Sequence, residues 1–439
     1  MEEISNINQI GVIFSSIMAI LLLVLPRKYA IMPMIMTVLY LPLGLMIMIG
    51  PLHFPMFRIM IAIGFIRIVM KKEYDHIQFN PIDISLILYV VSYVTFDTLL
   101  WQTSERFITC SGIAYNIIGS YFFFRCLIID YDDFRTLVKL MAFIIIPATV
   151  AVMIEKSTGR NFLSIFGGVP EFSEIRDGKL RCQGSFRSPI LLGTFAATTM
   201  PYLILLFFKD ARGSRNLIIG IVGFICATII MFDATTSGAL MVYIFAIICY
   251  IMWALRKYMR AIRWGIIFSL ISLHLYMKDP VWFIMARLAT LTGGTGWHRS
   301  QLIDQWLRHF NEWWLLGTKK TSHWMGGIHL LDRPDDADIT NHFIGVSIHG
   351  GLIPLILFIL IIIYCYKRIG VSLQIMENAT IDLKMILWSL GVILSAHIMA
   401  LFNVAYFDQL IVFYYMPLAV IASLTAFTFN SSANKPSVL

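Results

Sequence analysis

Charge is what this sequence has least of. Asp, Glu, Lys and Arg make up 14% of its 439 residues, where a soluble domain carries about 25%, so a water-covered globule is excluded. Alternating ten-residue segments are also missing, which excludes an outer-membrane barrel. Internal repeats and low-complexity tracts are absent, which excludes solenoids and long disordered regions. Cysteine is sparse. Cys110, Cys126, Cys226, Cys249 and Cys365 fall in apolar segments and Cys182 stands alone in a polar loop, so neither a disulfide framework nor a CxxC metal site is supported.

What is there is hydrophobic: 58% of the residues are apolar or aromatic and the mean hydropathy is +0.77. Apolar runs near 20 residues recur along the chain, the pattern of a polytopic all-α membrane protein. The first run, behind Glu2 and Glu3, lacks a small-residue cleavage site and reads as a membrane span, not a signal peptide. Spans are expected at about 9–26, 30–49, 56–70, 82–100, 107–127, 136–154, 190–208, 217–232, 238–255, 262–277, 343–366, 383–403 and 409–427. Pro33 and Pro42 interrupt the second, and Arg58 and Arg67 burden the third. These divide the chain into an N-terminal bundle (1–154), an outer loop (155–189), central spans (190–277), a large outer loop (278–342), C-terminal spans (343–427) and a disordered tail (428–439).

The net charge of +8 raises nucleic acid as a partner, but the distribution excludes it. Basic residues recur in every second connection, at Arg27 and Lys28, Lys71 and Lys72, Arg135, Lys209 to Arg215, Arg256 to Arg263, and Lys367 to Lys384. Short loops on the other side hold only Arg58 and Arg106. The basic side is expected to be cytoplasmic, against anionic lipid. Both long loops then fall outside, in the periplasm of a Gram-negative cell.

The outer loops carry the candidate chemistry. Gly296 to Gly351 is the largest polar interruption, with six of the ten histidines and five of the ten tryptophans. Arg181, in RCQGSFRSP, precedes a span, and Gly184 permits close backbone approach. A guanidinium there sits at headgroup depth, where its planar fork suits a diphosphate. Arg187, nearer the membrane, could bind the same group or snorkel to lipid phosphate. Arg299 falls in the first turn of a helix capped by Thr295 and running to about Phe310. A cation is slightly disfavoured there by the helix dipole unless an anion binds; the alternative is a surface pair with Asp304. His342 lies at the entry to the span 343–366, at the membrane boundary, with Asp338 and Asn341 close enough to orient its ring. A neutral imidazole there can take a proton from a sugar hydroxyl. His298, His323 and His329 lack HExxH-like spacing, so no metal is expected. Asp97 and Asp233 read first as helix caps. Trp306, Trp313, Trp314 and Trp324 fit an interfacial belt before they fit sugar stacking.

RCQGSFRSP before a span, DATTSGAL between two spans, HRSQLIDQW…LLGT in the large loop and NHF…HGGLIPLILF at its exit together resemble the O-antigen ligase and O-antigen polymerase superfamily. The resemblance covers roughly 180–355. It implies metal-free glycosyl transfer from an undecaprenyl-diphosphate-linked glycan donor to a glycan acceptor, on the outer face of a bacterial inner membrane and without a cofactor. Arg181 and Arg299 would grip the diphosphate, His342 would be the base, and a chain-length regulator and a flippase would be partners alongside membrane lipids. Two positions depart from the family pattern: Asn341 precedes His342 instead of following it, and Thr236-Ser237-Gly238 stands where the family places Ser-Arg. A repeat-unit polymerase is the first expectation and a ligase onto lipid A core the second. A flippase is disfavoured, because matched pairs of Gly/Pro-broken helices are missing and mid-membrane ionisable groups are few. A scaffold would not need Arg-rich outer loops.

The alternation of basic loops makes a direct prediction. A cysteine replacing Ser322 should react with an impermeant thiol reagent in intact cells, and one replacing Ser214 should not. The reverse pattern would invert the orientation.

Overall fold

The computed structural model describes residues 8–50, 52–208, 214–287, 296–326, 329–330 and 333–433. Helix dominates, at 77%, and among the described residues the strands pair into three two-stranded sheets. The helices are α1 (Gln9–Val24), α2 (Ile31–Tyr40), α3 (Met56–Met70), α4 (Pro81–Trp101), α5 (Ser104–Leu127), α6 (Tyr131–Thr158), α7 (Pro189–Ile204), α8 (Ser214–Asp233), α9 (Ser237–Ile251) and α10 (Met259–Tyr276). They continue as α11 (Gly296–Arg308), a single turn at Phe310–Trp313, α12 (His342–Gly350), α13 (Leu352–Ile375), α14 (Ile381–Asn403) and α15 (Gln409–Ala433). Among the described residues nine helical stretches are long and apolar enough to cross a membrane. The protein is an all-α polytopic membrane protein.

Local chemistry sets the helix ends. Asn80 caps α4 in a reciprocal capping box with Asp83, behind Pro81 at the first helical position. Asp130 caps α6, which ends on Gly159 in the left-handed conformation. α7 and α15 are each buried over 83% of their spans, so they form the axis of the bundle. α10 buries no residue and stands on its outside.

Several expected spans change form. The segment 30–49 is the short, buried α2 followed by a β-hairpin, β1 (Met46–Ile49) with β2 (Leu52–Pro55). Pro42 and Gly44 end the helix, and Gly50 turns the hairpin at φ +59°. Arg67 is no burden to α3: it is buried, donates to Leu22 O at 2.6 Å and Leu25 O at 2.7 Å, and pairs with Glu73 at 2.8 Å. It thereby satisfies the carbonyls that the end of α1 leaves open. Residues 252–258 form a 3₁₀ bend between α9 and α10. The chain then returns to the end it left, because Ser300 Oγ donates to Trp282 O past the end of α10, while neighbouring Arg299 lies against Gly238 at the start of α9. α15 continues to Ala433, so the first residues expected in a disordered tail are helical.

The segment 343–366 is not one helix. It breaks at Gly351, where φ is +74° and ψ −160°, a conformation open to glycine and closed to almost every other residue. The break is clasped by the large loop: Leu352 N donates to Trp314 O at 2.8 Å and Thr318 N to Ile348 O at 2.8 Å. A β-carbon on Gly351 would lie 2.5 Å from Leu315 O. α12 and α13 therefore form a hairpin, and the His342 ring packs at 5.3 Å on Phe358, about 9 Å down α13 at 1.5 Å per residue.

Cross-contacts sort the connections onto two faces. On one, Arg27 pairs with Asp133 at 2.6 Å, Arg125 reaches Asp83 at 3.3 Å and Ser423 at 3.0 Å, and Tyr131 bonds Thr428 at 2.6 Å. On the other, Cys182 N donates to Asp233 O at 3.1 Å, Gln409 Nε2 to Ser185 O at 3.0 Å, and Tyr406 N to His342 Nδ1 at 3.1 Å. The two long loops thus share one face, opposite most of the basic connections.

Asp83 is fully buried and accepts from Tyr121 OH at 2.6 Å as well as from Arg125 and Asn80 N. Asp83→Ala leaves the Arg125 charge buried without its carboxylate, and should destabilise the protein by about 3–5 kcal/mol, read as the shift in unfolding midpoint in detergent. Wild-type stability would show that Arg125 is satisfied by Ser423 and the Gln78 carbonyl alone.

Candidate functional site

The site grows from the end of α8. Asp233 closes that helix, Thr235 turns the chain in the left-handed region at φ 48°, and Thr236 begins α9 without a side-chain cap. The first amides of α9 thus lack the usual capping acceptor, and the Thr235 and Thr236 hydroxyls have no hydrogen-bond partner. Gly238 in the first turn leaves room above the helix. The Arg299 guanidinium occupies it, with one Nη 3.4 Å from where a β-carbon on Gly238 would lie, and Asn403 is beside it.

Arg299 is half-buried, its Nε has no hydrogen-bond partner, and no ion pair among the described residues involves it. Its expected alternative partner, Asp304, is bound at 2.7 Å to Arg308 on its own helix. Burial, with no anion to offset it, pulls the Arg299 pKa below the usual arginine value, yet a guanidinium stays charged at any physiological pH. A guanidinium over a helix N-terminus is the arrangement of a candidate anion site. The helix dipole that matters belongs to α9, not to Arg299's own helix. The expected cap, Thr295, lies outside the described residues.

A chain of contacts closes the surroundings into a ring. Arg181 adjoins Cys182, which bonds Asp233; Gly238 follows on α9 under Arg299; Asn403 beside it leads to Tyr406, which holds His342; and Gln409 bonds Ser185, next but one to Arg187. Arg181, Arg187, Arg299 and His342 therefore border one region of one face.

Their states differ. Arg181 ends strand β4 (Lys179–Arg181), is buried, and holds both carboxylate oxygens of Glu174 on β3 (Glu174–Arg176) at 3.3 Å. Only one of its nitrogens is used in this way, and its Nε has no hydrogen-bond partner. Arg187 is exposed and its charge acts on Asp408, whose carboxyl burial pushes up and Arg187 pulls down. His342 is oriented by Tyr406, not by the expected Asn341 or Asp338. The Asn341 side chain caps α12 by accepting from Phe343 N at 2.9 Å, and the exposed Asp338 lies 4.0 Å from His298. Burial pushes the His342 imidazole down to about 4, so it is neutral at pH 7. Because its Nδ1 accepts the Tyr406 N–H, the neutral ring carries its proton on Nε2. Nε2 is thus a donor, and a base role would first require the Tyr406 bond to open. The sequence-based expectation was a base, whereas this geometry gives His342 a donor at Nε2.

Other expectations also shift. Asp97 is not a cap: it is buried, paired with Arg106 at 2.5 Å, and accepts from Cys110 at 2.6 Å. The tryptophans are more internal than an interfacial belt requires. Trp306 and Trp313 stack with centroids 4.8 Å apart, Trp306 donates to Ser347 at 2.8 Å, and Trp324 is buried; Trp314 is exposed. Tyr406 and Asp408 were missed. Their one signal in sequence was a charge in the short FNVAYFDQ link between two apolar spans. Compared with protein-family models and with curated proteins, the chain matches none.

A half-buried charge without a partner opposes folding. Arg299→Met should therefore unfold no earlier than wild type in a thermal-aggregation assay, whereas replacing a cation that holds the fold lowers the midpoint. A clear drop would mean that Arg299 already has a structural partner.

Proposed function

We propose that the protein is a membrane glycosyltransferase that joins undecaprenyl-diphosphate-linked oligosaccharide repeat units into an exopolysaccharide or O-antigen-like polymer. It would act at the outer face of a bacterial inner membrane. The observation that carries this reading is the unpaired Arg299 guanidinium over the uncapped N-terminus of α9, an anion site on the face that gathers both long loops. Its sequence, DATTSGAL against HRSQLIDQW, supplies two of the four motifs that resemble the O-antigen polymerase and ligase superfamily, although Thr236-Ser237-Gly238 stands where the family places Ser-Arg.

In this reading Arg299 and the α9 amides hold the donor diphosphate, with Arg187 and the free donors of Arg181 contributing to the same grip. An acceptor hydroxyl attacks the anomeric carbon from the opposite side. The new carbon–oxygen bond forms as the bond to the diphosphate breaks, inverting the centre. The diphosphate is already a good leaving group, so the main demand is neutralising the charge that develops on it. His342 meets part of that demand by donating from Nε2. The proton of the attacking hydroxyl passes to a base on the acceptor side.

Purified protein in liposomes with lipid-linked repeat units tests this. Arg299→Lys keeps the charge but loses the planar fork, and should lower turnover roughly 10²–10³-fold, the range for removing one such donor. His342→Ala should fall comparably, while His342→Gln, which still donates, should stay within about tenfold of wild type. Full activity in Arg299→Lys removes the diphosphate grip; a His342→Gln variant as damaged as the alanine restores the base role. In a strain lacking the protein, loss of polymer with single repeats retained assigns polymerisation, whereas accumulation of free lipid-linked polymer assigns ligation.

A further inference from the structure

We propose that His309, Glu312 and His323 form a zinc site in the large loop, an inference independent of the glycosyl-transfer reading. Their donor atoms all lie within 4.8 Å of one another, although the spacing of the loop histidines along the chain matches no familiar zinc motif. His309 and Glu312 are three residues apart across the end of α11 and the turn Phe310–Trp313, which puts both on one side. His323 comes back to them from the turn at Ser322–Met325.

Three details of geometry suit a metal, and His309 supplies the third donor that a simple His323–Glu312 ion pair would not need. His309 Nδ1 lies 2.8 Å from Gln305 O. That bond keeps the proton on Nδ1, which donates to the carbonyl, and leaves the Nε2 lone pair free, the arrangement in which ligating histidines are usually held. His323 Nε2 sits 3.0 and 3.3 Å from the two Glu312 oxygens. Ligands about 2.0–2.2 Å from a tetrahedral zinc are separated by roughly 3.3 Å, so this pair is already spaced for one ion. Glu312 is also fixed from behind, since Trp324 Nε1 donates to its Oε2 at 3.0 Å. The same indole stacks on His309, with centroids 5.4 Å apart and planes at 18°.

The donor set selects the ion. Two imidazoles and one carboxylate suit zinc and its neighbours, whereas calcium and magnesium require oxygen ligands. A fourth position remains for water. A bound ion would tie the Ser322–Met325 turn to Glu312, next to Trp313. Trp313 Nε1 donates to Trp306 O at 2.8 Å, and Trp306 Nε1 to Ser347 on α12 at 2.8 Å. Zinc would therefore stiffen the loop through the tryptophan stack that contacts the helix bearing His342.

The test uses full-length protein in detergent, with any affinity tag removed, stripped with EDTA and titrated with zinc chloride by calorimetry. One zinc per chain is expected. His309→Gln, Glu312→Gln and His323→Ala should each weaken binding at least about 100-fold, since even residues that only orient ligands contribute 10–100-fold. His274→Ala, outside the cluster, should bind as wild type. Glu312→Gln is nearly isosteric and keeps an acceptor for Trp324, so it remains informative should a histidine variant misfold. Lack of a stoichiometric site in the wild type, or unchanged affinity in Glu312→Gln, would reduce the cluster to an ion pair and overturn the proposal.

Discussion

Water is scarce inside a membrane bundle, so every helix that ends or breaks there must find protein partners for its open amides and carbonyls. Much of this architecture answers that demand. Arg67 covers the carbonyls at the end of α1, Asn80 and Asp83 close the start of α4, and Trp314 O receives the Leu352 amide at the break between α12 and α13. The start of α9, like the starts of several other helices, has no side-chain cap, but there two adjacent hydroxyls are unpartnered as well. That is the point where Arg299 arrives without an anion. Unsatisfied polar groups and an unpaired guanidinium coincide there, which is why the proposed anion site is put at that position.

The break at Gly351 has a second consequence. A continuous helix from 343 to 366 would have carried His342 to the membrane boundary. Folding back at Gly351 turns α12 inward and sets His342 on Phe358 and under Tyr406. The large loop makes that fold possible, since its carbonyls at Trp314 and Leu315 press on the glycine and leave no room for a β-carbon. Loop and break are one device, and the stacked tryptophans are its mechanical part.

Much of this was legible from residues in order. The long apolar runs placed α4 to α8, α14 and α15 within a few residues, because helix length and hydrophobicity are local properties. Arg181, Arg187, Arg299 and His342 were singled out from polar stretches flanking those runs, and they do border one face. Their partners were not legible. Glu174 opposite Arg181, Arg308 in place of Arg299 beside Asp304, and Tyr406 holding His342 all depend on strand register, helix phase or a contact between distant segments. Pro42 was noticed as an interruption, but that it ends a helix and leads into a hairpin depends on how α2 packs.

The sequence by itself determined the class of protein and the opposition of its two faces, because low charge and alternating basic loops act through the solvent and need no tertiary contact. Only the tertiary structure decided which cations are free. A guanidinium seeks whatever carboxylate lies within a few ångströms, and that neighbour is chosen by packing. Packing gave Glu174 to Arg181, left Arg299 alone over α9, and brought His323 back onto His309 and Glu312.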